Sequence, residues 1–156
     1  MEIAYLADYP QFSDEVARRN YAEWGRLCAA AGLSLEELKI EMRRRCTKQS
    51  IPFALVAVSD GALVGSVSVK LDEPTSVPGL SPWLGGLLVS ENLRGRGIGS
   101  ALLLRAEAVV GTLGIATIYL SCEQRLKPFY VSNGWQLRRN VVSLGDLVSV
   151  MQKAIA

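Results

Sequence analysis

The sequence predicts an α/β fold of mixed α and β character, in which one mixed sheet carries helices on both of its faces. Two observations support this prediction. Some segments show the helical period of 3.6 in their apolar residues, and others show a strand pattern. Along the chain these segments follow the order strand, two helices, three strands, helix, strand, short helix and two strands. Because the 156 residues contain no repeat, low-complexity tract or long linker, we expect one domain over residues 1–156.

The N-terminal third is predicted to form a short strand and two helices. Met1 to Ala7 is the candidate strand. Ser13 is a candidate N-cap for a helix over residues 14–30. The second helix starts at a capping box, Ser34-Leu35-Glu36-Glu37, and we expect it to reach Lys48.

Three strands are predicted in the middle of the chain. Residues 53–59 and 63–71 are rich in Val, Ala and Ser, and the Asp60-Gly61 pair between them is typical of a hairpin turn. Residues 83–89 form the next apolar run. Because glycine weakens a strand, the Gly85-Gly86 pair inside this run indicates a β-bulge or a close backbone approach.

The C-terminal half is predicted to contain two helices and three strands. The apolar residues of 100–113 lie on one face of a helix, as expected for a helix packed on a sheet. A strand over 117–121 and a short helix over 126–132 follow. Residues 135–142 and 147–153 form a closing pair of strands.

Composition argues against several classes of partner. The net charge is +2, with 21% charged and 49% hydrophobic residues, which is ordinary for a globular protein and does not point to nucleic acid. No apolar stretch approaches the roughly 20 residues of a membrane span, and the first residues have no signal core. We therefore expect a cytoplasmic protein with no nucleic-acid or membrane partner.

Two residue counts restrict the chemistry. The three cysteines, Cys28, Cys46 and Cys122, are scattered and lack metal-ligand spacing, which indicates free thiols and no metal site. The chain contains no histidine, which excludes Ser-His-Asp and Cys-His triads and histidine metal sites. An acid–base catalyst must therefore be a carboxylate, Tyr, Lys, Cys or water.

A glycine-rich segment, Arg94-Gly95-Arg96-Gly97-Ile98-Gly99, lies where a predicted strand turns into a predicted helix. Glycines allow a ligand to approach the backbone, and the free N–H groups and dipole of a helix start attract anions. We therefore expect a phosphate site here. A P-loop would need a lysine behind the glycines, and none is present there. A dinucleotide fingerprint that begins at Gly95 would need a third glycine at the position of Ser100. Both kinds of phosphate site are therefore disfavoured.

Two signatures in the second half of the chain resemble those of the GNAT superfamily of N-acetyltransferases. Arg94, Gly97 and Gly99 match the R-x-x-G-x-G pattern of the acyl-CoA loop. Phe129-Tyr130 and Gly134-Trp135 match the pattern F-Y-x-x-x-G-[FW]. The two signatures occur in the family's order, separated by one helix and one strand. The resemblance implies the GNAT fold, a mostly antiparallel sheet of six to seven strands with a V-shaped splay between the fourth and fifth strands.

The resemblance also implies an acyltransferase that moves an acetyl group from acetyl-CoA to a primary amine by direct attack in a ternary complex. The pantetheine arm would pair with the backbone of Leu87, Leu88 and Val89. The pyrophosphate would lie on Arg94, Gly95, Arg96, Gly97, Ile98, Gly99 and Ser100. Tyr130 matches the family's general acid, which protonates the departing CoA thiolate. The alternative is a non-catalytic acyl-CoA-binding or regulatory domain that kept the loop.

The general base stays open at this stage. Many members of the family have a glutamate on the strand before the loop, but residues 83–89 contain no acid. The candidates are Glu123, Asp72, Glu73 and a chain of water molecules. Cys122 is expected near the same cleft, but no activating group accompanies it, so we expect a buried thiol rather than a nucleophile.

The acceptor pocket of this family is usually lined by the first two helices and by the loop before the glycine-bearing strand. The resemblance therefore makes Trp24, Trp83 and Glu123 candidate substrate-binding residues, because aromatic rings with an acid can hold a cationic amine. The implied partner is a small-molecule amine or a peptide amine. A homodimer would be compatible with this family.

Overall fold

The computed structural model describes residues 1–72 and 77–155 and contains a seven-stranded sheet. The strands are β1 (Glu2–Tyr5), β2 (Phe53–Ser59), β3 (Ala62–Lys70), β4 (Trp83–Val89), β5 (Thr117–Glu123), β6 (Gln136–Ser143) and β7 (Asp146–Ala154). Their spatial order is β1-β2-β3-β4-β5-β7-β6. All neighbouring strands run antiparallel except β4 and β5, which run parallel. The predicted mixed, mostly antiparallel sheet is confirmed.

Helices pack against both faces of this sheet. The α-helices of the described residues are α1 (Ser13–Ala30), α2 (Leu35–Arg44), α3 (Ile98–Thr112) and α4 (Lys127–Ser132). Short 3-10 turns lie at Leu6–Asp8, Pro10–Phe12, Glu91–Leu93 and Gln124–Leu126. None of these helices has the length and apolar character needed to cross a membrane.

The strand β2 shows how the sheet serves two cores. Its odd-numbered residues from Phe53 to Ala57 pack in a core with α3, and its even-numbered residues from Ala54 to Val58 pack in a second core with α1 and α2. Successive side chains of a strand point to opposite faces, so a strand buried on both sides is apolar throughout. The apolar residues 53–58 of this strand are therefore explained by burial on both faces.

Most strand boundaries agree with the sequence. β2 and β4 have the predicted limits, and Ser59 pairs with Ala62 across the Asp60-Gly61 turn. The first strand is shorter than predicted, because the chain turns into a 3-10 segment at Leu6.

The helix starts agree only in part. Ser34 is the N-cap of α2 as predicted, and its Oγ accepts a hydrogen bond from the Glu37 N–H at 3.1 Å. The prediction for Ser13 was wrong. Ser13 is the first residue of α1, Phe12 takes the N-cap position, and no side chain caps that end.

The second helix ends at Arg44, before the predicted Lys48. Arg45 leaves the helix and its buried guanidinium donates a hydrogen bond to Ser68 Oγ on β3, at 3.0 Å. The end of α2 therefore coincides with a tertiary contact that Arg45, the next residue, makes with β3.

The glycine pair of β4 forms the expected β-bulge. Ser66 of β3 lies opposite Leu88, whereas Ser68 lies opposite Gly85, so β4 has one more residue than β3 over this stretch. Gly86 has φ +65°, a conformation that glycine adopts without a steric penalty. The bulge bends β4 just before the glycine-rich loop.

The predicted splay lies between β4 and β5. Trp83 and Tyr119 form their one register pair in the described part of the chain, supported by a hydrogen bond from the Tyr119 N–H to the Pro82 carbonyl at 3.1 Å. Beyond this pair the two strands separate. We call the gap between residues 85–89 of β4 and residues 120–123 of β5 the wedge.

A buried ion pair joins the elements on the far side of β5. Glu107 of α3 pairs with Lys153 of β7 at 2.6 Å between Oε1 and Nζ. Lys153 also donates to the Asn133 carbonyl at 2.8 Å, and the Trp135 indole N–H donates to Glu107 Oε2 at 3.3 Å. This network ties α3 and β7 to the segment that follows α4.

We expect Glu107→Ala to lower the free energy of unfolding by about 3 kcal/mol, because it leaves the Lys153 ammonium without its carboxylate in a largely buried place. Urea denaturation followed by circular dichroism measures this change. As a matched control, Glu41→Ala removes the exposed pair between Glu41 and Arg44 and should cost less than about 1 kcal/mol. Equal losses in the two variants would contradict the assignment of a buried network.

Candidate active site

The narrow end of the wedge is closed by two aromatic rings. The centroids of Trp83 and Tyr119 lie 5.7 Å apart. Trp83 is almost fully buried, and its indole N–H donates to the Leu80 carbonyl at 2.6 Å. The structure thus places Trp83, which was predicted to bind the acceptor substrate, at the narrow end of the wedge.

The two faces of β5 differ in chemistry. Ile118, Leu120 and Cys122 point into the core that contains α3. Because side chains alternate along a strand, Ser121 and Glu123 point to the opposite face, which is the side of α1 and α2. The wedge therefore has an apolar side and a more polar side.

The glycine-rich loop begins at the wide end of the wedge. Gly95 and Gly97 have φ values of +78° and +84°, and a Cβ placed on either would meet no atom within 4 Å. Gly97 is the N-cap of α3, so the first N–H groups of this helix face the open space beside it. The first turn of α3 contains no acidic residue. The loop therefore presents free backbone N–H groups next to open space at a helix start.

The arginines and the last glycine of the loop have separate surroundings. Arg94 donates from Nε to the Val89 carbonyl at 3.1 Å, which fixes the loop to the end of β4, and Arg96 is exposed. A Cβ on Gly99 would lie 3.4 Å from Phe129 Cζ. Gly99 therefore allows α3 to pack closely on α4.

The residues predicted to pair with a cofactor arm lie along β4. Leu87 and Val89 pack against the α3 core, while Leu88 takes part in the pairing with Ser66 of β3. On the side that faces β5, the described residues form no strand pairing beyond Trp83. The backbone edge of β4 is open to an extended ligand here.

Tyr130 lies on α4, beside the apolar side of the wedge. Its side chain is 8% exposed and makes edge-to-face contacts with Phe129 and Trp135, at centroid distances of 5.1 and 6.2 Å. Burial, followed by the neighbouring Cys122 thiol, raises the pKa of the Tyr130 phenol well above its ordinary value. The phenol is therefore a protonated donor throughout the neutral range.

Cys122 is the neighbour of Tyr130 on β5. Burial raises the pKa of its thiol to about 11, so the thiolate fraction is small at neutral pH. This agrees with the expectation that Cys122 is a buried thiol and not a nucleophile. Cys28 and Cys46 are free thiols as well, and burial raises the pKa of each.

The candidate bases are not brought together by the fold. Glu123 lies at the end of β5, more than half exposed, and pairs with Arg125 at 2.7 Å. Asp72 is exposed and follows β3, whose residue Lys70 lies opposite Trp83, so it belongs to the narrow end of the wedge. Glu73 lies outside the described residues. Among residues 1–72 and 77–155, no group of three His, Cys, Asp or Glu side chains is placed to hold a metal ion.

The helix α1 bends at the residue predicted to bind the acceptor. Trp24 has φ −121° and ψ 26° inside α1, which marks a kink, and its side chain is partly exposed. The preceding residue, Glu23, lines a cleft of about 250 Å³ between α1, β3 and the end of β4. Arg19 lies in this cleft and donates to Ser90 Oγ at 3.1 Å.

Two residues with buried, unpartnered polar atoms were not singled out by the sequence analysis. Asn20 lies on the buried stripe of α1 with Val16 and Ala17, and its amide Oδ1 has no hydrogen-bond partner among the described residues. The Ser121 Oγ on β5 is likewise buried without a partner there. A polar residue on the apolar stripe of α1 was the available signal for Asn20, whereas Ser121 had none.

An exposed ion pair crosses from one half of the molecule to the other. Arg26 of α1 pairs with Asp146, at the start of β7, at 2.6 Å. This pair joins the segment after the Trp24 kink to the hairpin of β6 and β7.

Comparisons with known proteins agree with this geometry. A family model described as the acetyltransferase (GNAT) family matches residues 10–135. A search of curated proteins finds no sequence that matches the chain.

Among solved structures, an aminoglycoside 6'-N-acetyltransferase complexed with coenzyme A is 17% identical, with a TM-score of 0.77, and the alignment covers 100% of this chain and 98% of that one. The aminoglycoside 6'-N-acetyltransferase from Enterococcus faecium is 20% identical, with a TM-score of 0.74 and the same coverage. A putative streptothricin acetyltransferase from Bacillus anthracis str. Ames, in complex with acetyl coenzyme A, is 12% identical, with a TM-score of 0.57 over 66% of this chain and 62% of that one. These likenesses show the fold.

The family model covers most of the chain, and its match includes β4, the glycine-rich loop and Tyr130. The chain therefore belongs to the acetyltransferase (GNAT) family and is an acyltransferase.

Proposed function

We propose that this protein is an N-acetyltransferase that transfers the acetyl group of acetyl-CoA to a primary amine by direct attack in a ternary complex. The observation that carries this proposal is the wedge, which has an anion-binding loop at its wide end and a buried tyrosine at its side. The location we propose is the cytoplasm, where a soluble donor such as acetyl-CoA is at hand.

The loop would bind the pyrophosphate of CoA. Its glycines and the first N–H groups of α3 supply backbone donors next to open space. Arg94, Gly95, Arg96, Gly97, Ile98, Gly99 and Ser100 form this binding segment. The arginine side chains add charge-assisted hydrogen bonds.

The pantetheine arm would continue from the loop along β4. The backbone of Leu87 to Val89 has an open edge towards β5, so an extended arm can pair with it as an added strand. This pairing directs the thioester towards the bulge at Gly86. A backbone N–H near Leu88 then polarises the thioester carbonyl.

The reaction is a direct displacement on the thioester. The amine nitrogen forms a bond to the acetyl carbon, the carbon–sulfur bond breaks, and the electron pair leaves with the CoA sulfur. Tyr130 supplies a proton to this sulfur. The phenol pKa lies above that of a free thiol, about 8.5, but the same apolar surroundings disfavour the thiolate as well, which keeps the transfer feasible.

The proton of the attacking amine would leave through water at the wide end of the wedge. Glu123 is a carboxylate at that end, where it is exposed and pairs with Arg125 at 2.7 Å. We therefore assign Glu123 to proton removal through water and not to direct contact with the amine. Asp72 at the narrow end is the remaining described candidate.

The acceptor class follows from the neighbours and from the site. The structural neighbours include aminoglycoside 6'-N-acetyltransferases, which supports a small-molecule amine as acceptor. Trp24, which is partly exposed at the kink, supplies apolar surface on the acceptor side, and the buried Trp83 closes the narrow end of the wedge. A peptide amine stays within the proposal.

The test is a thiol-release assay with acetyl-CoA and a panel of primary amines: an aminoglycoside, a polyamine, an arylalkylamine and a peptide with a free N-terminus. We expect turnover with at least one amine of the panel. We also expect acetyl-CoA to bind when no amine is present. Acetyl-CoA binding with no turnover on the panel would instead support a non-catalytic acyl-CoA-binding domain. Failure to bind acetyl-CoA would exclude both.

We expect Tyr130→Phe to lower kcat at least about tenfold while the dissociation constant of acetyl-CoA stays within about twofold, because the variant loses only the proton donor. Steady-state kinetics and calorimetry measure the two quantities. Tyr5→Phe, on β1 at the far edge of the sheet, is the matched control and should retain full activity.

The pH dependence gives a second test of Tyr130. Because burial raises the pKa of its phenol, the group keeps its proton to above about pH 10, and kcat should not fall between about pH 8 and 10 on its account. A descending limb in that range that disappears in Tyr130→Phe would contradict the assigned environment.

We expect Gly97→Ala to weaken acetyl-CoA binding by about tenfold or more, because its Cβ would enter the open space assigned to phosphate. Gly114→Ala is the matched control. Gly114 also has positive φ and open space around it, but it lies beyond the C-terminal end of α3. Calorimetry should show a loss of affinity for the first variant only, and equal losses would assign the effect to backbone strain.

A further inference from the structure

Two buried polar atoms at the wedge have no partner in the described part of the chain. They are the amide Oδ1 of Asn20 on α1 and the hydroxyl Oγ of Ser121 on β5. The Asn20 side chain is only 6% exposed. Buried acceptors are nearly always hydrogen-bonded, and leaving one unpaired destabilises the fold. Two such atoms beside one opening therefore point to a ligand that supplies donors.

Asn20 approaches the wedge from α1. Its amide nitrogen Nδ2 lies against the bulge of β4, because a Cβ placed on Gly86 would lie 3.2 Å from it, and Oδ1 is the other atom of the same amide group. The bulge is the place to which the proposed pantetheine pairing brings the thioester. The lack of a side chain at Gly86 keeps the amide and the backbone of β4 close together.

Ser121 approaches the wedge from the other strand. Trp83 lies opposite Tyr119, and two residues further along these parallel strands stand Gly85 and Ser121. Side-chain alternation puts Ser121 on the same face as Tyr119, whereas Cys122 points to the face of Tyr130. Asn20 and Ser121 thus flank the wedge on the face opposite the proposed general acid.

We propose that Asn20 Oδ1 and Ser121 Oγ bind the N–H groups of the acceptor amine and aim its lone pair at the thioester. This inference rests on the proposed function and names the acceptor subsite within it. An uncharged primary amine has two N–H donors and one lone pair, so two acceptors on different elements fix the direction of attack. The geometry then places the acceptor and the general acid on opposite faces of the sheet.

The charged groups around the subsite lie at its borders. Glu23 and Arg19 come from α1 and line the neighbouring cleft. Glu123 lies two residues beyond Ser121 on β5 and is paired with Arg125. Arg138 of β6 lies over the Tyr119 ring at 6.0 Å from its centroid. Both proposed ligands are neutral, so they stabilise the charged ammonium form less than a carboxylate would.

The test compares Asn20→Ala and Ser121→Ala with the wild type, using the amine of the panel that has the highest kcat/KM. We expect the KM for this amine to rise about tenfold in each variant, while the dissociation constant of acetyl-CoA stays unchanged. The melting temperature of Ser121→Ala should not fall, because its hydroxyl makes no hydrogen bond to the described protein.

Ser13→Ala is the matched control. Ser13 Oγ is also buried, beside the Cys46 thiol, and it lies two helical turns before Asn20 on α1. The KM of Ser13→Ala for the amine should equal that of the wild type. If the wild type is active but both Ser121→Ala and Asn20→Ala leave the KM for the amine unchanged, the inference is overturned and the proposed function is not. A wild type that acetylates no amine would overturn the proposed function and the inference with it.

Discussion

The candidate site depends on one constraint, the pairing of β4 with β5 at a single position. Trp83 lies opposite Tyr119, and beyond them the two strands separate. Unpaired backbone in the middle of a sheet loses ladder hydrogen bonds, so other contacts must hold the two halves together. On one face the core under α3 continues across the gap, from Leu84 of β4 to Leu120 of β5. On the other face the ion pair between Arg26 and Asp146 joins α1 to the last hairpin.

This arrangement gives the two faces of the wedge different chemistry. The α3 face is apolar and contains Tyr130 and Cys122, whose pKa values are raised by burial. The α1 face holds several buried polar residues of the described chain: Asn20, Arg45, Ser66 and Ser68. A thioester lying between the strands would meet a protonated acid on the dry face and hydrogen-bond acceptors on the polar face. The division between donor and acceptor sides is thus a consequence of strand alternation.

Much of the fold could be predicted because its signals are local. The Asp60-Gly61 turn, the Ser34 cap and the position of the glycine loop at a helix start each depend on a few neighbouring residues, and these three structural predictions are confirmed. Features that depend on distant partners were not predictable. The end of α2 before Arg45 accompanies a contact with Ser68 of β3, and no periodic pattern marks this end or the kink at Trp24.

The missing glutamate on β4 is consistent with the space that the wedge offers. At Gly86 even a Cβ would crowd the Asn20 amide nitrogen, at 3.2 Å. A carboxylate at this depth would also need a cationic partner, because an unpaired buried charge costs far more than an unpaired neutral group. An amide and a hydroxyl can stay unpaired until a ligand arrives at a cost of about 1–3 kcal/mol each. Neutral acceptors are therefore the groups that this closed, glycine-lined end of the sheet can tolerate when it is empty.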